Sequence, residues 1–271
     1  MDFAGKTVWI TGASSGIGAA LAREVAKRGS HVVLSGRDEA RLAKVAEACG
    51  ETLILPFDVR DDAALADAVE KAIGWKGGVD LAFANAGVSQ RSRALDTDMQ
   101  VYRDIIDIDL TAQIAFSQSL IGHMVERGSG ALAFISSIAG KIGVPLRTAY
   151  SAAKFGLAGY GDALRAELSQ TGVAVHTIYP GSVATDVSRN ALQSDGSRRG
   201  RSDKAIDEGI PADEAAATML DAIAAGKREI IVARGSELAM GEARRTPEAL
   251  LDQVADMVAR GYMDKVENED R

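Results

Sequence analysis

Tyr150 and Lys154 stand four residues apart in an Ala- and Gly-rich stretch, a spacing that puts both on one face of a helix. A lysine ammonium beside a phenol favours the phenolate, which makes the tyrosine a usable proton donor and acceptor near neutral pH. Ser137 lies thirteen residues before Tyr150, at the end of an apolar run, and can donate a hydrogen bond to an oxygen on which negative charge develops. Far upstream, Thr11-Gly-Ala-Ser-Ser-Gly-Ile-Gly18 joins an apolar run to a helical pattern. Its glycines, Gly12, Gly16 and Gly18, permit a tight turn and a close backbone approach to a pyrophosphate, which the following helix N-terminus would attract. Ser14, Ser15 and Ile17 complete that turn. The spacing is GxxxGxG. A proton-transfer group, an oxyanion donor and a phosphate cradle together point to chemistry on a small molecule, assisted by a nucleotide.

Short apolar runs must position these groups. They fall at 7–10, 31–35, 52–57, 79–84, 131–136, 173–179 and 229–233. Helical patterns alternate with them at 16–28, 39–48, 61–73, 98–126, 149–170, from Pro211, and at 247–260. Pro211 is expected in the first turn of its helix. The strands are continuously apolar, as strands covered on both faces are. Alternation over the whole length predicts an α/β fold: one doubly wound, Rossmann-type domain with a seven-stranded parallel sheet and ligands at the strands' carboxyl ends. An eight-unit barrel fits less well, with seven strands and the glycine turn after the first. The polar segment 186–210, containing Ser194-Asp-Gly-Ser-Arg-Arg-Gly-Arg-Ser-Asp203, follows a strand end and is expected to act as a lid. The charged tail 267–271 is expected to fray.

With Asn85-Ala86-Gly87 after the fourth strand and Pro180-Gly181-x-Val183-x-Thr185 after the sixth, the chain resembles the classical short-chain dehydrogenases/reductases from about Lys6 to Arg234. The resemblance implies that Tyr150 protonates a carbonyl oxygen in reduction and serves as base in alcohol oxidation. Ser137 would position the substrate oxygen, and Lys154 would hold the nicotinamide ribose and assist Tyr150. It also implies cofactor contacts by the glycine turn, by Asp58 and Val59 at the adenine, by Asn85, Ala86 and Gly87 on the adenosine side, and by Pro180, Gly181, Val183 and Thr185 near the carboxamide. Members commonly pair through the two long helices, so a homodimer or homotetramer is implied. Gly156, Gly159 and Gly161 are expected to ease that approach. One position departs: the family's asparagine in the long helix, which helps hold a water beside the lysine, is Asp109 here, in Ile106-Asp-Ile-Asp-Leu-Thr-Ala112. Asp109 keeps acceptor oxygens and loses the amide donor. It either joins the proton relay or points away as a structural residue.

Cofactor choice turns on the end of the second strand, Leu34-Ser35-Gly36-Arg37-Asp38. A ribose 2′-hydroxyl is usually held by an acidic residue there and a 2′-phosphate by a cation. Gly36 takes the acidic position and Arg37 follows, so NADP(H) is expected, with Asp38 read as a helix cap. The 271 residues include 31 Lys and Arg against 38 Asp and Glu, a net charge of −7. An acidic chain is a poor general nucleic-acid binder, and Arg198, Arg199 and Arg201 form only a short basic run. The single cysteine, Cys49, expected half-buried near a helix end, excludes an internal disulfide and fits a reducing compartment. His31, His123 and His176 lack metal-ligand spacing, and no metal is expected. Without a targeting signal or an apolar run of membrane length, the expected location is the cytoplasm, with no membrane partner. The reading is an NADP(H)-dependent oxidoreductase acting on a small carbonyl or secondary alcohol, with a largely apolar pocket of Ile138, Ala139, Lys141, Gly143, Val144 and Val187. The alternative is a cofactor-binding sensor or structural homologue with weak catalysis.

Overall fold

The computed structural model describes residues 1–262, so the tail expected to fray lies outside the described residues. Five strands and their crossover helices come first: β1 (Thr7–Thr11), α1 (Gly16–Lys27), β2 (His31–Gly36), α2 (Glu39–Ala46), β3 (Thr52–Pro56), α3 (Asp62–Gly74), β4 (Leu81–Ala84), α4 (Met99–Ile106), α5 (Ala112–Glu126) and β5 (Gly130–Ile135). Then come α6 (Thr148–Glu167), β6 (Val173–Pro180), β7 (Val183–Ala184), α7 (Lys204–Asp207), β8 (Ile210–Pro211), α8 (Ala212–Ala224), β9 (Glu229–Val232), α9 (Gly235–Ala243) and α10 (Glu248–Ala259). The seven long strands form one parallel sheet in the order β3-β2-β1-β4-β5-β6-β9. The order reverses beside β1, so the carboxyl ends of β1 and β4 open a crevice where a ligand can enter.

Side-chain alternation along the strands feeds two cores, one on each face of the sheet. Val8 and Ile10 of β1 pack with Ala20, Leu21 and Val25 of α1 and with Met219 and Leu220 of α8. Trp9, between them, points to the other face, among Leu65 of α3, Phe116 and Leu120 of α5, and Leu157 of α6. The Trp9 indole N–H donates to Ser35 Oγ at 2.8 Å, so its one polar atom is satisfied inside the core. Asp38 and Asp61 cap α2 and α3, their carboxylates accepting from Arg41 N and from Ala63 and Ala64 N.

Several local expectations are corrected. Pro211 is the residue before α8 rather than within its first turn, because it also pairs with Ala184 in the two-stranded ladder of β7 and β8. The long helix expected over 98–126 is α4 and α5 joined by a π-helical stretch, Asp107–Thr111, where the Ala112 N–H bonds back to the Asp107 carbonyl. Helix α9 lacks a clear apolar stripe, so its residues carry no periodic signal in the sequence. Cys49 is fully buried, not half-buried; its Sγ donates to the Val45 carbonyl, and burial pushes the thiol pKa up. His176 is a satisfied strand residue, its Nδ1 2.6 Å from the Lys227 carbonyl oxygen. Among the described residues no helix is long and apolar enough to cross a membrane, and no group of three His, Cys, Asp or Glu side chains could hold a metal.

Candidate active site

The glycine turn after β1 is shaped by close approach. Gly12 has φ +65° and a Cβ there would lie 2.8 Å from Ala86 Cα. A Cβ on Gly18 would lie 2.3 Å from the Gly12 carbonyl oxygen and 2.6 Å from Asn85 Nδ2. Asn85 braces this turn: its Nδ2 donates to the Thr11 carbonyl at 2.8 Å. Thr11 Oγ1 accepts from Asn85 N and Ala86 N at 3.0 and 3.1 Å. Helix α1 begins at Gly16 with no acidic residue in its first turn, and Ser15 in the cap position makes no side-chain cap bond. Its first N–H groups and the positive end of its dipole are therefore available to an anion.

At β5 the chain turns into a single 3-10 turn, Ile138–Gly140, capped by Ser137, whose Oγ accepts from Ala139 N at 3.1 Å. The Ser137 hydroxyl reaches Pro180 O only at 3.4 Å, a weak use of its proton. Gly140 allows this turn to lie on α6, since a Cβ there would be 2.7 Å from the Lys154 carbonyl oxygen. Ser136 Oγ in turn donates to the Lys154 carbonyl at 2.9 Å. Gln90, fully buried, caps α6 from outside by accepting from Ala149 N at 2.8 Å. These contacts fix the helix carrying Tyr150 and Lys154. Gln90 does not stand out in the sequence, because it acts through Ala149, a partner far away along the chain.

Lys154 is 4% exposed, and its Nζ donates to the Ile135 carbonyl at 3.0 Å and pairs with Asp109 Oδ2 at 3.2 Å. It stands 5.5 Å from the centre of the Tyr150 ring. Asp109 does not point away: it is fully buried on the π-helical stretch, and its Oδ1 accepts from Val88 N at 2.8 Å. Gly87 leaves room for the carboxylate, since a Cβ there would sit 3.0 Å from Oδ2. Burial raises the Asp109 pKa, opposed by Lys154 and the Val88 N–H. Burial works against the charge on Lys154 too, but Asp109 and the Tyr150 oxygen outweigh it and its pKa is raised. Asp109 thus touches the lysine directly.

Every residue singled out by sequence for catalysis or cofactor contact lines one cleft of about 1110 Å³ at the carboxyl ends of the strands. Thr185 closes on the glycine turn, its Cγ2 3.3 Å from where a Cβ of Gly16 would be. Arg37 is exposed and only loosely tied, 3.9 Å from Asp58. Arg41 and Arg60 join it at the cleft wall, unflagged in sequence because single surface arginines carry no pattern. Arg60 clamps Asp58 with two hydrogen bonds and holds its pKa below the ordinary carboxylate value. Past the sheet, Glu237 of α9 accepts from both the N–H and the Oγ of Ser182, at 2.7 and 2.8 Å, and so grips the Pro180-Gly181 turn.

The expected substrate pocket is corrected in part. Val187 lines the cleft, but Ile138, Ala139, Lys141, Gly143 and Val144 do not. Lys141 is buried, paired with Glu229 and stacked 4.3 Å from the Tyr179 ring centre, with its Nζ donating to the Arg244 carbonyl. It ties α9 and β9 to the body rather than facing a ligand.

A cofactor with a pyrophosphate fits this cleft: glycines keep it open where a Cβ would fill it, and an uncapped helix faces the opening. Comparison with known proteins agrees. The short chain dehydrogenase family model matches residues 6–196. A zebrafish (Danio rerio) protein, Dehydrogenase/reductase SDR family member 7B, is 35% identical over 238 residues, covering 84% of this chain and 77% of its own. A short chain dehydrogenase/reductase from Burkholderia phymatum, solved with NAD, superposes with a TM-score of 0.80 over 91% of this chain and 98% of its own, at 22% identity. A single-residue variant of actinorhodin polyketide ketoreductase, solved with NADPH, is 33% identical, with a TM-score of 0.64 over 66% of this chain and 71% of its own. The chain belongs to the classical short-chain dehydrogenase/reductase family, oxidoreductases that bind a nicotinamide cofactor and act on small molecules.

Proposed function

We propose that the protein is an NADP(H)-dependent oxidoreductase that interconverts a carbonyl compound and its secondary alcohol. The observation that carries this is the convergence of Ser137, Tyr150 and Lys154 on the cleft that the glycine turn opens. When bound, the cofactor supplies or accepts the hydride. The residues of the chain do the rest. Tyr150 gives its phenolic proton to the carbonyl oxygen during reduction and takes it back in the reverse direction. Ser137, whose own proton is barely committed, donates a hydrogen bond to that oxygen and fixes its place. Lys154, held charged by Asp109, compensates the negative charge left on the tyrosine oxygen. The glycine turn and the start of α1 would hold the pyrophosphate.

Preference for NADP(H) rests on Arg37, with Arg41 and Arg60 beside it and no acid in the Gly36 position. The NADPH in the polyketide ketoreductase agrees with that choice. The loop between β7 and β8 acts as a lid over the substrate, since Val187, Asn190 and Leu192 line the same cleft. The test is oxidation of NADPH and NADH, followed spectroscopically, on a panel of ketones. Turnover with NADPH preferred bears the reading out. Cofactor binding with no turnover on any ketone would leave the sensor reading in its place.

A further inference from the structure

The lid is fastened by an unusual charge cluster. The Asp203 carboxylate accepts from Arg91 Nε at 2.7 Å and from Arg199 Nη1, which also donates to Ser188 Oγ. Arg91 is fully used, because its Nη1 donates to Ser89 Oγ and the Gln90 carbonyl as well. Arg147 differs. Its Nη2 comes no nearer to Asp203 than 3.8 Å, too long for a hydrogen bond, although the side chain is only 26% exposed. Burial, and next the charge on Arg91, push its pKa below the ordinary value and outweigh the opposing pull of Tyr150, Asp203 and Glu237. Arg147 faces a cavity of about 300 Å³, lined also by Leu146, Arg199 and Arg201. Four arginines line this cavity with a single carboxylate, Asp203, which is already bonded to Arg91 and Arg199. The two cavities flank the same strip of lid, with Leu192 and Arg198 on the cofactor side and Gln193 and Arg199 on this one. Leu146 is held at φ +65°, a conformation that costs free energy in a non-glycine residue and orders the backbone just before Arg147. Arg147 in turn occupies the cap position of α6, three residues before Tyr150.

We propose that this cavity receives an anionic group of the substrate, a carboxylate or a phosphate, with Arg147 as its chief ligand. The inference rests on the oxidoreductase reading and adds a charged end to a substrate otherwise expected to be apolar. A lid staple alone needs only Asp203, Arg91 and Arg199; a desolvated, underpaired guanidinium beside them is explained by a ligand anion. An anchor remote from the reacting carbonyl would also orient the substrate against Tyr150.

The test has a kinetic arm and a binding arm. In the first, kcat/KM is measured for a methyl ketone and for keto acids and keto phosphates of matched chain length. The wild type should prefer an anionic ketone, and Arg147→Gln should lose that preference by about 10- to 100-fold, the worth of one charged hydrogen bond. Arg147→Lys should recover part of it. An unchanged preference ratio in Arg147→Gln would overturn the proposal. In the second, inorganic phosphate or acetate is titrated into NADPH-saturated protein and thermal unfolding is followed. Protection of the wild type but not of Arg147→Gln supports the anion site, and the protecting anion identifies the source. Protection by neither overturns it. If no ketone is turned over, the oxidoreductase reading fails, and the binding arm still decides the anion site by itself.

Discussion

At the scale of single residues, the site depends on what each side chain has left to offer. Tyr150→Phe keeps the ring and removes the proton, so turnover should fall at least ~100-fold while cofactor affinity, read by fluorescence titration, stays close to wild type. Asp109→Asn removes a carboxylate 3.2 Å from Lys154 and keeps an acceptor for the Val88 N–H. Loss of that negative charge removes repulsion from the tyrosine oxygen and also weakens the hold on the Lys154 charge, so turnover at the optimum should be kept and the pH profile of catalysis should move measurably. Superimposable pH–rate profiles would show that the carboxyl carries no charge in the working enzyme. For Arg37, replacement by Ala should shift the ratio of kcat/KM for NADPH over NADH toward NADH by about 10-fold or more, one charge-assisted contact being lost. A wild type that uses NADH equally well would set aside the choice of NADP(H).

At the scale of elements, the loop between β7 and β8 is the segment held in place by charge. The Asp203 pKa is depressed well below the ordinary carboxylate value: burial opposes this, and hydrogen bonds from Arg199 and Arg91 outweigh it. A depressed folded-state value means stabilisation that is complete above the unfolded pKa and lost as pH falls toward the folded one. Wild type should therefore exceed Asp203→Asn in stability by about 2 kcal/mol at neutral pH, and the gap should narrow below about pH 4. Denaturant melts of both proteins across that range would check it. The long connection between β7 and β8 was legible in its polar run after a strand end, and so were the sheet strands, whose unbroken apolar runs reflect burial on both faces. What escaped reading was set by distant partners. Helix α9 has no strong apolar stripe and is held by Glu237 and by Lys141's bond to Arg244. The π-helical stretch carries Asp109, whose partners Val88 and Lys154 lie far along the chain, and no residue type within it announces it. The Asp109–Lys154 contact spans 45 residues of chain, so no spacing rule gave it; the family resemblance alone brought the aspartate near the lysine, and through a water rather than directly.

At the scale of the whole molecule, the three glycines of α6 separate into two kinds. A Cβ on Gly156 would lie 2.8 Å from Leu110 Cδ2, and one on Gly161 would lie 2.6 Å from Thr177 Oγ1, so these serve packing within the subunit. Gly159 meets nothing within 4 Å, and the same is true of Gly122 on α5. If the chain pairs through these helices, Gly159 marks the contact. Light scattering at micromolar concentration should then report a dimer or tetramer, and Gly159→Trp should shift it toward monomer, since a Cβ at this exposed position meets nothing within 4 Å of its own subunit. A monomeric wild type would refute the assembly.

The grip of Glu237 on Ser182 has a consequence for how the molecule comes into being. A chain leaves the ribosome amino end first. The glycine turn and its Asn85 brace can form when under a third of the sequence has emerged. The turn at Pro180 has its outer clamp only after residue 237 is out, long past the last motif residue, Thr185. A nascent or truncated chain that ends after β9 would hold every strand and every signature side chain, yet leave one wall of its cleft unclamped. The clamp on that wall thus arrives late, with a helix that bears none of the chemistry.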